Sequence, residues 1–157
     1  MRITSGLFGG RRIAAPKTLA TRPTQENVRE ALFSMLQGEL SGKSFLDLFA
    51  GTGAVGLEAL SRGAAEAAFV ENARPALAAL RKNIEMLRCG ALCSIAAVDV
   101  WRFLSAKGRK DFDFVFADPP YEILKERPLE TWIDSVPVAP GGFFILEMRR
   151  QIGRAHV

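Results

Sequence analysis

Apolar positions change their spacing along the chain, and each change marks an element. Residues 2–6 and 11–14 flank Leu7-Phe8-Gly9-Gly10, a glycine-containing connection of the kind that closes a hairpin. Arg22-Pro23-Thr24 then stops the extended segment and offers Thr24 as a helix N-cap. Val28, Ala31, Leu32, Met35 and Leu36 recur at i, i+3, i+4, i+7 and i+8, which predicts a helix with one apolar face, ended by Gly38.

From Ser44 onward, short apolar runs alternate with helical stretches. Strands are predicted over 44–48, 67–70, 93–98, 112–117 and 143–147. Helices are predicted over 53–62, near 101–107 and over 129–135. Another spans 75–88, with Leu77, Leu80, Ile84 and Leu87 on one face and Pro75 suiting its first turn. This alternation builds βαβ units, so the predicted fold is α/β: a Rossmann-like open sheet, mostly parallel, preceded by an N-terminal hairpin. Such sheets bind ligands outside the carboxyl ends of their strands. Acids gather there: Asp47 within the first strand, then Glu71, Asp99 and Asp118 ending the next three.

A chain of 157 residues is most simply one domain. It holds no apolar run near the roughly 18 residues a membrane span needs and no secretory leader, so a cytoplasmic protein without membrane attachment is expected. Cys89, Cys93 and His156 are the only cysteines and histidine. A structural zinc site wants about four N or S ligands, so no metal is expected, and a histidine-based nucleophilic triad is disfavoured as well.

Charge is unevenly placed. Residues 1–22 carry Arg2, Arg11, Arg12, Lys17 and Arg22 and no acid, whereas the remainder holds 16 basic and 17 acidic residues. All the excess positive charge therefore sits in one N-terminal arm, which suits a phosphate backbone. A solvated tail would look the same from charge alone.

Asp47-Leu48-Phe49-Ala50-Gly51-Thr52-Gly53-Ala54-Val55-Gly56 joins the first strand to its helix. Glycines let this backbone turn tightly, and the helix N-terminus presents unpaired N–H groups to a ligand. Gly51, Gly53 and Gly56 satisfy the dinucleotide pattern G-x-G-x-x-G, with Glu71 following 20 residues after Gly51. Asp47 points elsewhere: a carboxylate at the loop mouth repels a pyrophosphate and favours a cationic ligand. The segment resembles motif I of class I S-adenosylmethionine methyltransferases. The resemblance implies S-adenosyl-L-methionine as cofactor. Gly51 and Gly53 would lie against its methionine part with Asp47 close by, Glu71 would bind the ribose hydroxyls, and Asp99 the adenine amino group.

The fourth strand runs into Asp118-Pro119-Pro120-Tyr121. Two prolines fix φ and restrict the residues before them, so the turn is rigid. It presents the Asp118 carboxylate and a main-chain carbonyl as acceptors, and Tyr121 as a stacking face for a base, a contact contributing roughly 1–3 kcal/mol. Two acceptors and a ring suit an exocyclic amine on a planar base. They orient its hydrogens and aim its lone pair, with acceleration from proximity and electrostatics. The tetrapeptide resembles motif IV of amino-methyltransferases, which implies a catalytic role for Asp118, Pro119 and Tyr121. The base would have to be exposed or flipped out.

Arg2-Ile3-x-x-Gly6, Gly10-Arg11-Arg12, Arg22-Pro23-Thr24 and Val28-Arg29-Glu30-Ala31-Leu32-Phe33 are similar to the N-terminal portion of the ribosomal small-subunit methyltransferase D family, as are 47–60 and 116–121 to its core. The resemblance implies methylation of a guanine N2 in 16S ribosomal RNA, within a small subunit or an assembly intermediate, by a monomer. Arg2, Arg11 and Arg12 would grip RNA, and Arg22 and Thr24 would lie near the active site. The family continues past the fifth strand with an antiparallel strand pair that this chain lacks. Ile152-Gly153-Arg154-Ala155-His156-Val157 resembles a translated sequencing adapter, so 1–22 is expected to be the arm, 23–151 the catalytic core and 152–157 a non-native tail. Competing readings are a DNA adenine-N6 or cytosine-N4 methyltransferase, a protein-glutamine methyltransferase (disfavoured by Asp118), a dinucleotide-dependent oxidoreductase, and an RNA-binding module without catalysis.

Overall fold

The computed structural model describes residues 1–16 and 23–148, with residues 23–25 described by their backbone only. Element order is α1 (Pro23–Met35), β1 (Ser44–Asp47), α2 (Ala54–Ser61), β2 (Glu66–Val70), α3 (Arg74–Leu87), β3 (Cys93–Ala96), α4 (Val100–Ser105), β4 (Phe112–Ala117), α5 (Tyr121–Glu126) and β5 (Val138–Leu146). The strands form one sheet in the order β3-β2-β1-β4-β5, and every pairing is parallel. The α/β Rossmann-like expectation therefore holds.

A parallel sheet covered on both faces needs apolar residues pointing both ways. Phe45, Phe69 and Phe114 enter one core layer, with Leu57 and Leu80. Their neighbours Leu46, Val70 and Val115 enter the other, with Leu104 and Trp132. β1 and β4 lie at the centre of the sheet, where Asp47 pairs in register with Phe116. The Asp47 and Asp118 strand ends are thereby brought side by side.

Several elements differ from expectation. In α1 the core-facing residues are Arg29 and Phe33, while Val28 and Met35 are 45% and 82% exposed. The helix is rotated because Arg29 meets a buried carboxylate, Glu58. Helix α1 begins at Pro23, so Thr24 lies in its first turn and not at the cap. Residues 129–135 form two short 3-10 turns in place of a helix. β5 starts five residues early, at Val138, and absorbs Pro140-Gly141-Gly142 through an irregularity opposite the segment between Phe112 and Phe114. No helix among the described residues is long and apolar enough to cross a membrane.

The N-terminal segment is bound into the core. Its two limbs pair through an antiparallel bridge between Arg2 and Arg12, and Ile3, Phe8 and Ile13 are buried in the first core layer. Polar residues of α2 and α3 hold its backbone. The Glu58 carboxylate accepts hydrogen bonds from the Thr4 and Ser5 amides (2.9 and 3.2 Å) and pairs with Arg29 and Arg62. Ser61 accepts from the Phe8 amide through its hydroxyl at 2.8 Å and donates to the Ser5 carbonyl. Asn83 brackets Ala14, accepting from its amide at 2.6 Å and donating to its carbonyl at 2.9 Å.

Candidate active site

β1 delivers Asp47 to the carboxyl edge of the sheet at 1% exposure. The chain then turns through Gly51 (φ 56°) and Gly53 (φ 85°), left-handed conformations that favour glycine. At Gly53 a side chain would also collide with Leu80, whose Cδ1 lies 2.3 Å from the position a Cβ would take. At Gly51 nothing lies within 4 Å of that position, so this part of the loop faces open space. Glu71, just past β2, fixes the loop: its carboxylate accepts from the Gly51 amide at 2.8 Å and from the Asn72 and Ala73 amides at 2.9 Å.

Between α1, the glycine loop and the ends of β1, β4 and β5 lies a cleft of about 200 Å³. Asp47, Gly51, Thr52, Asp118 and Glu147 line it, with Arg29 and Leu32 on the α1 side. Burial, then the neighbouring Asp118 carboxylate and more weakly Glu71, push the Asp47 carboxyl up to about 8, against hydrogen bonds from the Phe49 and Gly56 amides. One Asp47 oxygen, Oδ1, is buried without a hydrogen-bond partner among the described residues. A buried acceptor left unsatisfied is costly, and a cationic ligand head in the cleft would relieve it. The open backbone at Gly51 and the N-terminal end of α2 complete a cradle that suits an amino acid-bearing cation.

The sequence-derived residues fall into groups. Asp47, Gly51 and Asp118 share the cleft, and Glu71 is tied to it through Gly51. Gly53 begins α2 directly behind the loop. Asp99 is exposed and caps α4, accepting from the Arg102 amide at 2.8 Å; it does not line the cleft. Pro119 is buried, and Tyr121 opens α5 at 38% exposure with Lys125 Nζ 5.0 Å from its ring centroid, also outside the cleft lining. Arg2, Arg11 and Arg12 are exposed; Arg2 approaches Glu26 at 3.9 Å and Arg11 donates to the Met86 carbonyl at 2.7 Å. Arg22 lies outside the described residues, as does the Thr24 side chain. Among the described residues no group of three or more His, Cys, Asp or Glu could hold a metal.

Sequence reading missed Arg29, Glu58, Asn83 and Glu147. For Glu58 and Asn83 a signal exists: Glu58 interrupts the otherwise apolar helix α2, Asn83 falls at helical spacing from Leu80 and Leu87 on the apolar face of α3, and both are fully buried.

A parallel sheet in this order, with a glycine loop after β1 and an acid-proline turn after β4, defines a Rossmann-like methyltransferase. The family model described as conserved hypothetical protein 95 matches residues 1–154, and the chain belongs to that family, in which the ribosomal small-subunit methyltransferases D are found. It is 35% identical over 155 residues to "Putative rRNA methyltransferase YlbH" of Bacillus subtilis, covering 97% of this chain and 84% of that protein. It is 40% identical over 121 residues to "Ribosomal RNA small subunit methyltransferase D" of Escherichia coli, covering 77% of this chain and 60% of that protein. The solved structure "Putative methyltransferase yhhF" from E. coli superposes with a TM-score of 0.80 at 35% identity, over 93% of this chain and 80% of that one.

Proposed function

We propose that this protein methylates the exocyclic N2 amine of a guanine in 16S ribosomal RNA, using S-adenosyl-L-methionine. One observation carries the reading: Asp118, ending a central strand, opens into the same cleft as the buried, half-unsatisfied Asp47 and the glycine loop. The names of the relatives support the ribosomal substrate.

The cofactor supplies a methyl group on a cationic sulfonium. Asp47, Gly51, Gly53 and Glu71 would hold it, with Asp99 serving from its position at the start of α4. Asp118 accepts a hydrogen bond from the target amine and turns its lone pair toward the methyl, which is positioning and electrostatic work. Pro119 and Pro120 keep that acceptor still, and Tyr121 stacks on the base. Arg2, Arg11 and Arg12 engage the RNA backbone, and Arg22 and Thr24 meet the RNA close to the active site. The protein acts as a cytoplasmic monomer on a small subunit or an assembly intermediate.

The test is incubation with methyl-labelled cofactor and small subunits lacking native methylation, followed by digestion to nucleosides. Label on N2-methylguanosine, lost in Asp118→Ala while cofactor still binds, is the expected result. No label on RNA with intact cofactor binding would discard the ribosomal assignment.

A further inference from the structure

Asn83 lies on the buried face of α3, and its side chain is fully enclosed. Its Oδ1 accepts from the Ala14 amide at 2.6 Å, while Nδ2 donates to two carbonyls at 2.9 Å, those of Ala14 and Thr52. Ala14 follows Arg11 and Arg12 in the basic arm. Thr52 sits between Gly51 and Gly53, the two glycines of the cleft loop. One amide group thus joins the arm to the loop. A second contact runs alongside it: the Thr52 hydroxyl donates to Met1 Sδ at 3.8 Å, and the Ile13 amide donates to the Met1 carbonyl at 3.0 Å. The other end of the arm is held by different groups, the Ser61 hydroxyl and carbonyl at the far end of α2, which bond Ser5, Leu7 and Phe8.

From this geometry we infer that Asn83 is a positioning residue that couples docking of the basic arm to cofactor binding at the glycine loop. The inference rests on the reading of that loop as the cofactor site. Its physical basis is satisfaction of buried polar groups. An amide enclosed among three main-chain partners keeps all of them bonded only while arm and loop hold one relative position. A ligand that steadies Thr52 therefore steadies Ala14. By linkage, RNA that clamps Arg11 and Arg12 must raise cofactor affinity by the same factor by which cofactor raises RNA affinity. Couplings of this kind typically reach about 5- to 150-fold. The protein would then load its two substrates cooperatively without any large movement.

Hydrogen exchange and calorimetry with S-adenosylhomocysteine test this on the whole chain. In the wild type, saturating ligand is expected to slow exchange of the Ala14 amide about tenfold and to leave the Phe8 amide unchanged. In Asn83→Ala, ligand affinity is expected to fall about tenfold, with Ala14 no longer responding. Ser61→Ala, which loosens the arm at its far end, should bind the ligand as the wild type does. The coupling is overturned if wild-type Ala14 is indifferent to ligand, if Asn83→Ala binds with unchanged affinity, or if Ser61→Ala loses as much affinity as Asn83→Ala. A wild type that fails to bind S-adenosylhomocysteine at all would instead remove the cofactor reading beneath it. The wild-type exchange comparison needs no variant, so a misfolded Asn83→Ala leaves the test intact.

Discussion

The Glu71 carboxylate and the Gly51 amide, 20 residues apart in sequence, are joined at 2.8 Å, so the acid after β2 and the loop after β1 form one unit. A hydrogen bond to a charged group contributes about 1.5–3 kcal/mol. Glu71→Ala removes this acceptor and the two it offers to Asn72 and Ala73. Affinity for S-adenosylhomocysteine should fall about 10- to 100-fold, measured by calorimetry, with Glu71→Gln losing less. Unchanged affinity in Glu71→Ala would remove Glu71 from the site.

Asp47 makes the protein sensitive to pH. Its carboxyl titrates near 8 in the fold and near 3.8 when free. Between those values the folded state holds a proton that the unfolded state has lost, so stability declines as pH rises through that window. Asp47→Asn should flatten the decline, seen as a melting temperature less dependent on pH from 4 to 8.

The same residue is expected to govern ligand uptake. A cation seated beside Asp47 favours its ionised form, so binding below pH 8 should release a proton. Calorimetry in buffers of different ionisation enthalpy would detect that release, and affinity should climb with pH until about 8. A buffer-independent binding enthalpy at pH 6.5 would contradict it.

Glu58 and Arg29 form an ion pair at 3.2 Å inside the core, at 0% and 4% side-chain exposure. Glu58→Leu strands the buried Arg29 and should lower stability by about 3–5 kcal/mol in urea titrations. Arg29→Met leaves Glu58 paired with Arg62 and bonded to the Thr4 and Ser5 amides, so it should cost less. The double variant should recover part of the Glu58→Leu loss, since the stranded Arg29 is gone and Arg62, 16% exposed, can turn to solvent.

Arg12 is exposed with no ion pair among the described residues, whereas Arg2 approaches Glu26. If the arm grips RNA, Arg12→Ala should weaken binding evenly across RNA sequences and reduce the salt dependence by about one phosphate contact. Arg2→Ala should do less. A filter-binding series from low to high salt reads both, and equal salt slopes for wild type and Arg12→Ala would exclude that contact.

Much of this could be read from sequence because the relevant signals are local. β4 lies where its apolar run Phe112-Asp113-Phe114-Val115-Phe116-Ala117 predicts it, and the glycine loop follows β1 as expected. The misses have both local and tertiary causes. Helix α5 begins immediately after Pro119-Pro120, where a rigid turn alone was expected, because Pro120 sits just before its first residue and can start a helix it could not sit within. The α1 face was misjudged because apolar spacing cannot show that an arginine turns inward to meet Glu58. Asp99 was expected to end a strand over 93–98, but β3 stops at Ala96, and the use of Asp99 as the α4 cap depends on where the next helix starts. Glu147 reaches the cleft only because β5 lies next to β4, a fact of strand order.

Many of the polar contacts that seat the N-terminal arm end on its main chain: the Thr4, Ser5, Phe8 and Ala14 amides, and the Ser5 and Ala14 carbonyls. Main-chain groups are common to all residues, so the path of the arm is specified while the identity of its outward side chains is left open. Arg12, exposed and without an ion pair among the described residues, can therefore be substituted without unseating the arm, whereas the Arg11 side chain is itself one of its anchors. The course of the arm is in this way set largely apart from the side chains it displays.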